Sequence, residues 1–301
     1  MIEAGSSVIA IDAGGTEIKA AHIIGSTVLG EKKWPTEREL GPDHSVQRVL
    51  DAAFEMHNFF PEAKAIGLVV PGVVDTELGI ARYSENLLWH DVPFSKKIGD
   101  LTGLPVSFGH DVRAGGLAEA LYGAARGYRN SFFMPIGTGI AGAIIINGEL
   151  YEDPFSGEIG HLNVESGLEC ACGVTGCLES IATAPSIAKR YSTSSGNQVA
   201  NSREVLDRAK RGDSNAKEVW LDAMNAIGKA VAAYVTIMAP EIIVFGGGVS
   251  NAGEELLEPI QRYLAKRLTF QKRPALAIAE LGDRAGVIGA GILASNVLSR
   301  L

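Results

Sequence analysis

One device occurs twice in this chain and limits the folds open to it: an apolar strand, a glycine turn and a second apolar strand. The first copy runs through residues 8–11, then Asp12-Ala13-Gly14-Gly15-Thr16, then residues 18–24. The second runs through residues 132–136, Gly137-Thr138-Gly139 and residues 140–146. Short apolar runs bounded by glycine read as hairpins rather than strand–helix units. Around them the spacing predicts helices over 46–59 (with Pro42 and Asp43 as start signals), 94–102, 114–125, 216–238, 254–267 and 285–298. Further strands are expected at 65–70, 105–108, 242–245 and 275–279, and a turn at Gly246-Gly247-Gly248. Residues 191–202, polar and serine-rich, read as a surface loop. The sum is an α/β chain with mixed sheets.

At 301 residues the chain exceeds the usual size of one core, so two domains are expected. A net charge of −8 argues against a general nucleic-acid binder or a binder of anionic membranes, while leaving room for a local phosphate pocket. The start of the sequence has no basic, apolar leader pattern, and the apolar stretches are broken by glycine, so a cytoplasmic protein is expected.

The three cysteines of the chain lie together in a loop that also holds a histidine: His161, Cys170, Cys172 and Cys177. Three thiolates and one imidazole make a complete tetrahedral set for zinc, with no open position for chemistry, so this metal is expected to be structural. An odd number of clustered cysteines does not make a disulfide framework.

The glycine turns suit close approach of backbone amides to phosphate. In the first, Asp12, Gly14, Gly15, Thr16 and Lys19 combine amides, a hydroxyl, a cation and a strand-end carboxylate able to hold magnesium through water. Alone, this motif is equally an ordinary glycine hairpin. Gly137, Thr138 and Gly139 form a second such turn, and Gly246, Gly247 and Gly248 can admit a nucleoside with no side chain in the way. No Walker-type phosphate loop occurs, and Gly246–Val249 lacks the G-x-G-x-x-G spacing of a dinucleotide fingerprint.

In order, DAGGTEIK at Asp12–Lys19, IGTGIAG from Ile136, GEIGH at Gly157–His161, CACGVTGCLE from Cys170 and IIVFGGGVS from Ile242 closely resemble the ROK family of repressors and sugar kinases, over essentially the whole chain. The resemblance implies the actin-like ATPase fold: two ribonuclease-H-like domains with ATP and a sugar in a central cleft. The domains would be 1–110 plus 285–301 and 111–284, the last helix returning to the first. It also implies ATP-dependent phosphorylation of the 6-hydroxyl of a hexose, glucose or an N-acylhexosamine, with Asp111 as general base. Sugar contacts would come from Asn86, His110, Asp111, Glu158, His161 and Glu179, with magnesium, structural zinc and ATP as cofactors and a homodimer as the assembly. On the residues alone, Asp111 reads equally as a helix cap. The family usually has asparagine where this chain has His110, which bears on the identity of the sugar. A sugar-sensing regulator and a catalytically silent sugar-binding protein are the alternatives, and polyphosphate is the alternative donor.

Overall fold

A computed structural model describes residues 6–25 and 27–299. The chain divides into two compact units, residues 1–118 with 152–155 and 283–301, and residues 119–151 with 156–282. The sequence reading draws the first boundary at 110/111 and resumes the first domain at 285. Contacts carry the first unit eight residues further, part-way along a helix, and add the short segment 152–155.

In the first unit, β1 (Ser7–Ala13), β2 (Glu17–Ile24) and β3 (Thr27–Pro35) form an antiparallel meander. Helix α1 (Pro42–Phe59) then leads to β4 (Ala65–Val70), which runs parallel to β1. A small antiparallel sheet follows, of β5 (Val73–Asp75), β6 (Ile80–Ser84) and β7 (Trp89–Val92). Helix α2 (Phe94–Thr102) precedes β8 (Val106–His110), parallel to β4, and α3 (Asp111–Tyr122). The main sheet has the order β3-β2-β1-β4-β8.

Strand periodicity explains the two faces of that sheet. Ile66, Leu68 and Val70 of β4 join Val49, Ala53 and Met56 of α1 in one apolar cluster. The alternate residue, Gly67, lies under the C-terminal helix Ala285–Leu298, where a Cβ would overlap the Ala290 carbonyl oxygen. Gly109 of β8 does the same work, since a Cβ there would sit 2.7 Å from Leu293 Cδ1. A helix rich in alanine and glycine can approach a sheet this closely only where the sheet lacks side chains. The return of the last helix to the first unit thus rests on small residues on both sides.

In the second unit, β9 (Ser131–Pro135), β10 (Ala143–Ile146) and β11 (Glu149–Leu150) are again antiparallel. Helices α4 (Glu179–Ala182), α5 (Ala184–Ser195), α6 (Ser202–Lys210) and α7 (Ser214–Met238) follow. Strand β12 (Ile242–Gly246) is parallel to β9, and after α8 (Gly247–Ser250) and α9 (Glu254–Arg267), β13 (Ala275–Ile278) is parallel to β12. The order β11-β10-β9-β12-β13 repeats that of the first unit position by position. The duplicated hairpin in the sequence is therefore the visible part of a duplicated sheet. Its core packs Phe132, Met134 and Phe245 against Trp220, Ile227 and Val231 of α7.

Two expectations fail. Residues 191–202 are a loop only in part: α5 runs to Ser195, with Tyr191 fully buried and its hydroxyl donating to Asp213 at 2.5 Å. The serines that suggested a loop turn their hydroxyls back on the helix, Ser194 and Ser195 both donating to the Tyr191 carbonyl. Only 196–201 connects to α6, bounded by Gly196 in a left-handed cap and by Asn201, whose side chain accepts the Glu204 amide. The three glycines at 246–248 are also not a free turn. Gly246 closes β12 and Gly247 opens α8 at φ 73°.

Candidate active site

In the first unit the hairpin turn after β1 is braced from outside. The Gly14 amide donates to the Glu17 carbonyl (3.0 Å), and fully buried Thr36 donates its hydroxyl to the Gly14 carbonyl (2.7 Å) and its amide to the Thr16 carbonyl (3.0 Å). Lys19, paired across the hairpin with Asp12, donates to the Asp283 carbonyl at 3.2 Å. Asp12 packs against Gly286 at the start of the C-terminal helix, where any side chain would displace its carboxylate. Burial first, and the nearby Asp111 carboxylate second, push Asp12 up to about 7, against the pull of Lys19. Thr36 and Gly286 had no recognisable signal in the sequence, because their role depends on segments distant along the chain.

That elevation has a measurable consequence. The folded pKa of Asp12 lies above its unfolded value near 3.8. The native state therefore keeps a proton that the unfolded chain releases, and this stability is complete below pH ~4 and lost as pH rises through about 7. We expect Asp12→Asn to stabilise the nucleotide-free protein by about 1–2 kcal/mol at pH 8, and by less at pH 5. Urea titrations at the two pH values check this; equal effects at both would refute it.

Asp111 stands where β8 becomes α3. Its Oδ1 accepts the Val112 amide (2.7 Å) and lies 3.3 Å from His110 Nδ1, while Oδ2 accepts no hydrogen bond among the described residues. Capping-type contact and an open carboxylate oxygen thus coexist. His110 Nδ1 also lies 3.4 Å from the Arg113 amide, which donates to it when the ring is neutral. Asn86 is presented on an exposed loop between β6 and β7, pinned on one side by buried Leu87 and Trp89, whose Nε1 donates to Ser45 of α1 at 2.8 Å. Asn86 Cβ faces Gly15 of the glycine turn. The first unit therefore gathers Asp12, Gly15, Asn86, His110 and Asp111.

The second unit gathers the rest. Glu179 Oε1 accepts the Ile140 amide at 2.6 Å, and side chains added at Gly139 or Gly160 would meet that same carboxylate. One acid thus joins the Gly137–Thr138–Gly139 turn to the one-turn helix Ile159–His161, which follows Glu158. The Ile136 amide donates to the Gly246 carbonyl (2.9 Å) and the Val249 amide to the Ile136 carbonyl (3.0 Å), so the second and third glycine segments are neighbours. A cavity of about 870 Å³ opens beside Thr138 and Glu179, walled by the Cys170 loop, Lys189 of α5 and Asn215 of α7. The 246–248 glycines are not part of its wall.

His161, Cys170, Cys172 and Cys177 converge, with their donor atoms all within 4.8 Å of one another. The Cys172–Cys177 sulfur separation is 3.7 Å, and the edge of a tetrahedron built on ~2.3 Å zinc–sulfur bonds is roughly 3.8 Å. His161 turns Nδ1 toward Cys170. Buried Cys177 is pushed up to about 12 by desolvation, whereas the Val174 amide, with Cys170 next, draws exposed Cys172 down to about 7. The donor set and its spacing fit a zinc ion. The loop is held by glycines: Gly173 and Gly176 adopt φ 85° and 102°, and Gly176 fits under Asn163.

Two units with the same five-stranded order, each ending its first strand in a glycine turn, define an actin-like ATPase fold. The chain belongs to the ROK family, whose model matches residues 8–297. It is 36% identical to a glucokinase of Halalkalibacterium halodurans over 95% of this chain and 94% of that protein. Among solved structures it resembles a ROK hexokinase from Thermus thermophilus (31% identity, TM-score 0.84, 98% and 100% of the two chains). It also resembles a ROK family glucokinase from Streptomyces griseus in complex with glucose and AMPPNP (26% identity, TM-score 0.81, 97% and 100%). Among the described residues, no helix is long and apolar enough to cross a membrane.

Proposed function

We propose that the protein is an ATP-dependent hexose 6-kinase acting on glucose or an N-acylhexosamine. The observation that carries the reading is Asp111: a carboxylate fixed through Oδ1 with Oδ2 open, next to the Asp12 glycine turn. Phosphoryl transfer asks a protein to position two substrates, offset charge and accept one proton. Asp111 takes the proton of the 6-hydroxyl. Asn86, His110, Glu158, His161 and Glu179 hold the other hydroxyls, and the turns at Gly14–Thr16 and Gly137–Gly139 hold phosphate oxygens with backbone amides. Likeness to proteins named glucokinase, one of them solved with glucose and an ATP analogue, supports this reading.

Asp12, facing Asp111 and kept partly protonated near neutrality, fits a hard divalent cation that would replace that proton, and magnesium there would offset phosphate charge. Zinc on His161, Cys170, Cys172 and Cys177 would fix the ring of His161 by its Nδ1 and leave Nε2 for a sugar hydroxyl. A homodimer in the cytoplasm is the assembly we propose, to be checked by light scattering. ADP release with ATP and magnesium across glucose, mannose, N-acetylglucosamine, N-acetylmannosamine and allose tests the activity. Turnover of one preferred sugar supports it. Sugar binding without turnover, with ATP or with polyphosphate, favours a silent sugar-binding protein.

His110 is the residue to which we assign selectivity. Neutral, it accepts the Arg113 amide on Nδ1 and carries its proton on Nε2, a donor for one sugar hydroxyl. Protonated, it would turn Nδ1–H to Asp111 and weaken the base. His110→Asn should shift the kcat/KM ratio between C3 or C4 epimers by roughly tenfold or more. An unchanged ratio across the panel would remove His110 from this role.

A further inference from the structure

Arg38 is an unassigned cation beside the first glycine turn. Thr36 zips its segment onto the first glycine turn through the two hydrogen bonds to Gly14 and Thr16. Glu37 then reverses the chain in a left-handed conformation (φ 52°), and its carboxylate is taken up by His44 (2.8 Å) and Arg48 (3.2 Å). Arg38, next in line, is exposed and has no carboxylate partner among the described residues. Its Nη1 donates to the Asn86 carbonyl at 3.4 Å and would lie 3.6 Å from a Cβ on Gly15. One of five guanidinium N–H groups is used in that bond, and Nη1, which makes it, is the atom that lies beside Gly15.

We propose that Arg38 binds the phosphoryl group in transit, contacting the terminal phosphate of the donor and then the phosphate of the sugar product. This rests on the kinase reading above. A guanidinium offers a paired donor fork to phosphate oxygens, which a neutral hydroxyl does not need. Its place between Gly15, assigned to phosphate, and Asn86, assigned to sugar hydroxyls, is the interval that the phosphoryl group crosses. The Asn86 carbonyl holds the side chain by one N–H, so its approach is set by the same loop that holds the sugar.

The test compares wild type, Arg38→Lys and Arg38→Ala in turnover, in affinity for the preferred sugar and in affinity for its 6-phosphate. Arg38→Ala should lower kcat and product affinity by roughly tenfold to a hundredfold, the scale of a charge-assisted hydrogen bond. Sugar affinity should stay within about twofold, Arg38→Lys should recover part of the loss, and added guanidinium ion should partly rescue Arg38→Ala. Equal weakening of sugar and product would make Arg38 a mere brace for Asn86 and overturn the proposal, as would no change in any of them. If wild type phosphorylates no sugar in the panel, the kinase reading fails by itself, and inorganic tripolyphosphate becomes the probe. Weaker binding to Arg38→Ala would then sustain the anion site, and equal binding would end it.

Discussion

Replacing Asp111 by asparagine is expected to lower kcat by about 10²–10⁴-fold while sugar affinity stays within a few-fold, the range for loss of a general base. The substitution is chosen for its geometry. An asparagine oxygen can still accept the Val112 amide that Asp111 Oδ1 accepts at 2.7 Å, so the start of α3 should be preserved. What disappears is the carboxylate charge at Oδ2, the oxygen that no described residue occupies. Turnover by single-turnover quench, with sugar affinity measured by calorimetry, separates the two effects. A fall in affinity matching the fall in kcat would show that Asp111 binds rather than takes a proton. Retained turnover would refute its role outright.

The second large effect is expected from the cysteine loop. With zinc in the proposed site, removing it with a chelator, or making Cys172→Ser, should release the 170–177 loop and weaken sugar binding by roughly tenfold to a hundredfold, as loss of an orienting shell typically does. The physical path is short. His161 faces the sulfur cluster through Nδ1, and the helical turn that carries it packs by Gly160 against Glu179. Without a metal on Nδ1, the imidazole would lack a fixed tautomer and orientation. Metal content by elemental analysis and sugar affinity by calorimetry, on the same sample, make the comparison. Unchanged affinity in zinc-free protein would break the proposed link. Because Glu179 also holds the Ile140 amide, we further expect the loss to reach ATP affinity less than sugar affinity.

Much of the fold could be read before the structure. The hairpin at Asp12, strand 65–70 and the helices at 94–102, 254–267 and 285–298 carry local apolar patterns and occur where those patterns place them, whereas the return strand of the second hairpin begins at Ala143 rather than at 140. The serines of 191–195 misled because a side-chain hydroxyl that bonds back to its own helix looks, in sequence, like a hydroxyl meant for water. The small sheet of β5, β6 and β7 was not anticipated, since its strands are three to five residues long and hold few buried positions.

The site divides along the same line. The candidate metal ligands are sequence-determined, because a chain with three cysteines that places them all with a histidine in one loop leaves few other uses for them. The glycine turns are likewise visible as glycine runs between apolar strands, although among their glycines only Gly247 takes a left-handed φ (73°). Tertiary structure alone decided that Glu179 would buttress a turn forty residues earlier, that Gly286 would make room for Asp12, and that Arg38 would reach Asn86 and Gly15. Each of these depends on two or more segments meeting at a distance of a few ångströms. A local pattern encodes the conformation of its own segment, whereas the pairing of charges and backbone groups across segments is fixed only when the sheets and helices have packed.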